Sequence, residues 1–257
     1  MKIARFSTGG DPRFGIVDGD ELVVLRGDPL FSGFDSTDER VPLEDVRLLA
    51  PVIPRSKIVC VGLNYPEHQA EMGEDSPTEP LLFLKPNTAI IGPGEFIQIP
   101  PGVGLMEHEG ELAVVIGKIA KSVKAEDFAD YVFGYTVAND VTARDIQKSD
   151  GQWARSKGYD TFCPIGPVIE TELDFAALEI TSHVDHEARQ QGNTRDMGHS
   201  IADIVAYASD VWTLLPGDLI LTGTPAGEKG FTAGEVVSIT IDGIGTLTNP
   251  VRNRDQE

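Results

Sequence analysis

Apolar and polar residues alternate with a period of two along most of this chain, and turn residues interrupt the alternation far more often than helical spacing replaces it. Residues 14–17 and 21–25 flank Asp18-Gly19, and residues 236–241 and 244–247 flank Asp242-Gly243. An Asp-Gly pair between alternating runs predicts a hairpin, so the chain is expected to open and close in β structure. Further strands are predicted at 57–62, 81–84, 88–91, 109–117, 133–138, 166–170, 178–184 and 218–222. Three helices are predicted. One runs from Pro66 to Met72, one covers residues 125–131, and one covers 201–214 with Ser200 as N-cap and Asp203 at N3. Strands and helices do not alternate regularly, so a doubly wound parallel sheet is not expected. The fold class is mainly β (α+β). The proline-punctuated Ala50-Pro51-Val52-Ile53-Pro54 divides a small N-terminal β-rich domain, 1–54, from a larger domain, 55–257.

At 257 residues the chain is long enough to bury a sizeable core. Its net charge of −20 argues against nucleic acid or an anionic membrane surface as partner, since either would be repelled. No apolar run approaches the roughly 20 residues of a membrane span, and the start lacks the apolar core of a signal peptide, so a cytoplasmic protein is expected. Cys60 and Cys163 sit in apolar surroundings and are expected to be reduced core residues.

The chemistry starts at His108-Glu109-Gly110-Glu111-Leu112. On a strand Glu109 and Glu111 share a face with Cα atoms roughly 6.5 Å apart, while Leu112, Val114 and Ile116 fill the other. Two acids so placed repel unless something neutralises them, and Mg²⁺ or Mn²⁺ is the natural neutraliser. A pair of solvated acids at a strand end has the same signature. The strand predicted at 133–138 also ends at an acid, Asp140, which a neighbouring strand end would bring to the same ion; Asp145 is the rival, although beside Arg144 it reads more simply as an ion pair.

A second constellation is Asn64-Tyr65-Pro66-Glu67-His68-Gln69-Ala70-Glu71. On a helix begun by Pro66, His68 and Glu71 lie three residues apart on one face, where the carboxylate would orient the imidazole; otherwise His68 is a surface histidine. The polar, proline-broken stretch that follows reads as a lid over substrate, covering residues 64–80. Lys157 lies in a loop where it would pair with substrate charge or with water. Gly217 to Gly227 reads as a buried strand entering a turn whose Thr222, Gly223 and Thr224 would offer N–H and O–H donors to a carboxylate.

Taken in order, Gly62-Leu63-Asn64-Tyr65 with His68 and Glu71, His108-Glu109-Gly110-Glu111-Leu112, Ala143-Arg144-Asp145-Ile146-Gln147, Lys157, and Thr222-Gly223-Thr224-Pro225 make the chain, over about residues 57–253, closely similar to the fumarylacetoacetate hydrolase family. The resemblance implies a mixed β-sandwich roll, a homodimer, and Mg²⁺ or Mn²⁺ held by Glu109, Glu111 and Asp140. It also implies a His68–Glu71 dyad and substrate contacts at Gln147, Lys157 and Thr224. Some acylpyruvase members carry Arg where this chain has Leu63, so a substrate carboxylate would need another partner, such as Lys85.

These residues suit a small 2-oxo acid, which would chelate the cation and lose a bond at C3 to leave an enolate. The expected reaction is C–C cleavage: hydrolysis of an acylpyruvate or fumarylpyruvate by a water that His68 activates, or decarboxylation of oxaloacetate. The alternative is isomerisation of 2-hydroxyhepta-2,4-diene-1,7-dioate or decarboxylation of its precursor. A non-catalytic, metal-stabilised binding protein is a third reading, against which His68, Glu71 and Lys157 count together.

Overall fold

The N-terminal Asp-Gly hairpin forms as predicted. In a computed structural model that describes residues 1–73 and 75–255, β1 (Lys2–Ser7), β2 (Arg13–Asp18) and β3 (Glu21–Leu25) form a meander. Asp18 pairs with Glu21 across a turn where Gly19 takes φ +67°, a left-handed value that glycine adopts without steric cost. A short helix α1 (Pro29–Ser32), capped by the Asp28 side chain, leads to β4 (Ser36–Pro42) and β5 (Arg47–Leu49).

The remainder supplies β6 (Ile58–Gly62), helix α2 (Pro66–Met72), β7 (Leu81–Lys85), β8 (Ile90–Ile91), β9 (Ile97–Ile99), β10 (Met106–Glu107), β11 (Gly110–Ile116), β12 (Val132–Asn139) and β13 (Thr142–Ala143). Two short helices follow, α3 (Arg144–Asp150) and α4 (Trp153–Lys157). Then come β14 (Cys163–Glu170), β15 (Glu179–Val184), β16 (Glu187–Asn193), α5 (Ile201–Val211), β17 (Leu219–Leu221), β18 (Gly230–Phe231), β19 (Val236–Ile241) and β20 (Gly245–Asn253).

Twelve strands make one sheet in the order β4-β3-β2-β1-β14-β12-β11-β17-β6-β7, with β5 on β1 and β8 on β14. Five make a second, β16-β15-β19-β20-β9, and three a third, β13-β10-β18. Most pairings are antiparallel, but β17 runs parallel to β6, β8 to β14 and β9 to β20, so the fold is a mixed, mainly β sandwich roll with a few short helices. The strands of residues 1–49 join the main sheet through β1, where Lys2 and Ile3 pair with Glu170 and Ile169. The Met1 ammonium closes that junction by pairing with Glu170.

The central strand β11 is buried along its whole length because both of its faces are covered. Leu112, Val114 and Ile116 pack with Ile180, Val237 and Ile239 of the second sheet and with Ile204, Val205 and Ala208 of α5. Ala113 and Val115 face the other side with Cys60, Cys163, Ile165 and Leu221. Both cysteines are free and buried there. Helix α5 starts where the Ser200 side chain accepts from Asp203 N at 3.2 Å, and it stops at Val211, short of the predicted residue 214. Residues 125–131 form a 3-10 helix instead of an α-helix, with no residue of the segment buried to hold a full α-turn.

Candidate active site

The β11–β12 ladder brings the three acids together. Gly110 pairs with Asn139 and Glu111 with Ala138, so the start of one strand lies beside the end of the other. Asp140 N donates to Glu109 O at 2.9 Å, and Glu109 N donates to Asn139 Oδ1 at 3.1 Å, which pins Glu109 just ahead of the strand. One carboxylate oxygen from each of Glu109, Glu111 and Asp140 falls within 4.8 Å of the others, and all three residues are buried.

Cations surround two of these acids. Lys157 Nζ reaches Glu109 Oε2 at 2.6 Å and Asp140 Oδ2 at 2.9 Å, Arg144 Nη2 reaches Glu109 Oε1 at 2.6 Å, and Lys85 Nζ reaches Asp140 Oδ1 at 2.5 Å. Burial alone would raise the Glu109 carboxyl, but Lys157 and Arg144 outweigh it and hold that carboxyl well below the usual range. Burial would likewise lower the Lys157 ammonium, and Asp140 and Glu109 more than reverse it, so the lysine stays charged. Glu111 has the opposite balance: burial, then the charges of Asp140 and Glu109, push its carboxyl well up. Its neighbour is a backbone donor, Gly223 N, at 2.6 Å from Oε2. Three converging hard oxygen donors, one of them starved of positive charge, fit a divalent cation such as Mg²⁺ or Mn²⁺.

This wall opens on a cavity of about 200 Å³. Leu63, Phe83 and Trp153 give it an apolar side; His68, Gln147 and Thr224 give it a polar one. Trp153 meets Phe83 edge-on, with ring centroids 5.1 Å apart, and leans on β6 where only glycine fits, because a Cβ on Gly62 would lie 2.6 Å from the indole. Leu63 holds φ +55°, a strained value for a branched aliphatic residue, at the turn from β6 towards α2.

Helix α2 begins with Pro66 as predicted and ends at Gly73 with φ +69°. Asn64 anchors its approach: its amide donates to Thr222 O at 2.7 Å and its Oδ1 accepts from His199 N at 2.8 Å. Farther on, His199 Nε2 meets Pro77 O at 3.1 Å, so the stretch 64–80 is tied at both ends; Glu74 within it lies outside the described residues.

The structure brings a second carboxylate to the buried His68 besides the Glu71 that its helical spacing predicts. His68 Nδ1 lies 3.0 Å from Glu228 Oε1, off hydrogen-bond alignment, whereas Glu71 stays exposed and accepts from Gly227 N at 3.0 Å. Glu71 still falls within 4.8 Å of both groups, at the rim. Buried Glu228 thus joins Glu71 as a carboxylate beside the imidazole, and of the two it is the one that water does not screen. Burial raises the Glu228 carboxyl, and His68 offsets part of that rise.

Other expected contacts also fall differently. Lys85 is spent on Asp140 and lies behind it, outside the cavity lining. Thr222 Oγ1 donates to Leu112 O at 2.8 Å, and Gly223 N is spent on Glu111, so of that turn Thr224 is the residue that lines the cavity. Asp145 is exposed, accepts from Leu105 N at 3.0 Å and takes no part in the acid cluster. Arg144 pairs not with Asp145 but with Glu107, Glu109 and Glu228, and its Nη1 donates to Gln147 Oε1 at 2.9 Å. Glu228 and Arg144 are the functional candidates that the sequence did not single out, and the proximity of Glu228 to His68 is purely tertiary.

Comparison with known proteins gives this arrangement a lineage. Residues 57–252 match the family described as fumarylacetoacetate (FAA) hydrolase C-terminal, and residues 1–51 match Rv2993c-like, N-terminal. Protein Rv2993c of Mycobacterium tuberculosis is 49% identical, with 98% of each chain covered. The oxaloacetate tautomerase YisK of Bacillus subtilis is 42% identical over 81% of this chain and 74% of its own. Among solved structures, a 5-carboxymethyl-2-hydroxymuconate delta-isomerase of Mycobacterium smegmatis superposes with a TM-score of 0.93 at 46% identity, covering 99% of this chain and 100% of the other. A maleylpyruvate hydrolase of Sphingobium sp. SYK-6, in complex with manganese(II) and pyruvate, superposes at 0.81 with 34% identity, covering 98% and 99%. The members so named are enzymes, and the chain belongs to the fumarylacetoacetate hydrolase family.

Proposed function

We propose that this protein is a divalent-cation-dependent enzyme that moves a proton at the carbon next to the oxo group of a small 2-oxo acid, interconverting its keto and enol forms. The observation that carries the reading is two groups lining one cavity: three buried carboxylates with Lys157, and His68 backed by Glu228. Mg²⁺ or Mn²⁺ would be held by Glu109, Glu111 and Asp140, and when bound it supplies the Lewis acidity that makes a C3 proton removable.

The chain's own residues account for the rest. His68, paired at Nδ1 with Glu228, keeps Nε2 to take a proton from C3 and return it. Lys157, held in its charged form by Asp140 and Glu109, stabilises negative charge that grows on a neighbouring oxygen. Gln147 and Thr224 line the polar side, where an amide and a hydroxyl meet the substrate's oxygens. Phe83 and Trp153 close the other side against water.

Keto–enol transfer needs one base and one electron sink, which this cavity provides, and the relatives with the higher identities and a named activity are a tautomerase and an isomerase. C–C cleavage is the second reading, favoured by the likeness to a maleylpyruvate hydrolase; it needs His68 to activate a water as well. The test is to give the Mn²⁺-loaded protein enol-oxaloacetate, acetylpyruvate and a hydroxydienoate in parallel, following loss of the enol absorbance and release of pyruvate. Enol loss well ahead of pyruvate release is the expected result. Enol loss that only keeps pace with pyruvate release would overturn the first reading in favour of the second.

A further inference from the structure

The two glutamates of the acid wall flank Gly110, and behind that glycine sits a buried amide that the chemistry above does not use. Gln190, on β16 of the second sheet, accepts from Gly110 N at 2.9 Å through Oε1. Its Nε2 donates to Thr224 Oγ1 and to Pro225 O, each at 2.7 Å. The amide cannot be turned round, because Gly110 N only donates and Pro225 O only accepts. A side chain at position 110 would crowd both Gln190 Oε1 and Ile239, so glycine between the two acids is what lets the amide approach.

One side chain thus bridges the strand that carries Glu109 and Glu111 to the loop that carries Thr224. The neighbouring residues strengthen the bridge. Gln190 N donates to Ser182 Oγ at 3.0 Å, and Ser182 Oγ meets His108 Nε2 at 2.8 Å, so the residues on both sides of Glu109 are fastened to the second sheet. Gly192 lies against Pro225 so closely that a Cβ there would clash with it.

The direction of the amide has a chemical consequence. A hydroxyl has one hydrogen, and Thr224 Oγ1 already accepts from Gln190, so its hydrogen cannot point to Gln190. It goes to Gly110 O, 2.9 Å away, or to a ligand in the cavity. We infer that Gln190 is a positioning residue, which aims the Thr224 hydroxyl at the carboxylate of a bound 2-oxo acid and holds that hydroxyl in register with the acid wall. The choice of ligand rests on the proposed function; the tie between loop and strand does not.

The test is a double-mutant cycle read by calorimetry, with Mn²⁺ alone and then oxalate in the presence of Mn²⁺ as probes. Gln190→Glu keeps the acceptor for Gly110 N but draws the Thr224 hydrogen onto its own carboxylate. Mn²⁺ affinity is expected to stay within about twofold and oxalate affinity to fall about tenfold, the effect of one lost hydrogen bond. In a Thr224→Val background the same substitution is expected to cost oxalate binding nothing further, because the hydroxyl it acts through is gone. An oxalate affinity unchanged by Gln190→Glu, or an equal loss in both backgrounds, overturns the inference. Gln190→Met, uncharged and similar in length, repeats the cycle if the glutamate disturbs folding. If the unsubstituted protein binds Mn²⁺ but not oxalate, the 2-oxo acid reading fails and amide exchange decides the tie. Faster exchange of residues 223–227 in Gln190→Met, with 112–116 unchanged, supports it, and equal exchange overturns it.

Discussion

The acid wall and the base wall of the cavity are built on different principles. Glu109, Glu111 and Asp140 come from adjacent strands whose ladder hydrogen bonds fix their spacing, and each carboxylate is further held by a lysine, an arginine or a backbone amide. His68 rides on a seven-residue helix, and Glu228 beside it comes from a loop far along the chain. The acid wall is therefore set by backbone pairing and keeps its shape when one side chain changes. The base wall is set by tertiary packing, and Arg144, which reaches both Glu109 and Glu228, is the contact that joins it to the acid wall.

The sharpest way to break this comparison is to remove one formal charge from the acid wall. Glu111→Gln nearly preserves shape, so the fold should persist while Mn²⁺ affinity and all activity on 2-oxo acids are lost, down to the uncatalysed rate. Mn²⁺ at about a hundred times its dissociation constant should add about 2.7 kcal/mol of stability to the unsubstituted protein. For a chain of this size that is a rise of roughly 5–10 °C in melting temperature. Thermal melts with and without Mn²⁺ check it, and an equal rise in Glu111→Gln would remove Glu111 from the ion's ligands.

Changing the base wall should leave the ion where it is. His68→Ala is expected to slow enol–keto transfer by about 10² to 10⁴, the usual contribution of a general base, with Mn²⁺ affinity unchanged by titration. Loss of Mn²⁺ along with activity would show the two walls to be one unit.

Glu228 and Glu71 sharpen the comparison at smaller amplitude. Glu228→Gln removes the charge facing His68 Nδ1 and should reduce kcat about tenfold, the scale of one charge-assisted contact, with KM little changed. Glu71 is exposed and bonded to Gly227 N, so Glu71→Gln should stay within about twofold. Steady-state kinetics on one enol substrate separates them, and the reverse order would restore the helical pairing of His68 with Glu71.

That contrast also explains what was legible in the chain. Glu109, Gly110 and Glu111 could be placed because strand periodicity is local, and Asp140 because it ends the next run of alternating residues. The hairpin at Asp18-Gly19 and the cap at Ser200 were local too. Glu228 was not legible, since nothing in the short irregular stretch ahead of β18 reports which helix it meets. Strand β16 was missed because Glu187-Ala188-Arg189-Gln190-Gln191-Gly192-Asn193 has almost no apolar alternation. Its one fully buried polar side chain, Gln190, faces the active-site loop instead of a hydrophobic layer. Helices α3 and α4 were missed because Arg144 to Lys157 carries charges and amides where an apolar stripe would announce a helix. Lys85 ends β7 and Lys157 ends α4, and only the tertiary fold brings both to Asp140, one on Oδ1 and the other on Oδ2.

The smallest expected effect tests where the acid wall ends. Asp145 lies close to Asp140 in sequence but at the start of α3, exposed, with Oδ2 accepting from Leu105 N at 3.0 Å. That bond holds the approach to β10 and leaves Asp145 outside the three buried acids. Asparagine retains a carbonyl oxygen for Leu105 N, so Asp145→Asn loses only a water-screened charge, worth less than about 1 kcal/mol. Mn²⁺ affinity and kcat should both stay within about twofold of the unsubstituted protein. A loss of Mn²⁺ binding comparable to that of Glu111→Gln would move the edge of the acid wall from the end of β12 to the start of α3, and Asp140 would then have to be read as the partner of Lys85 alone.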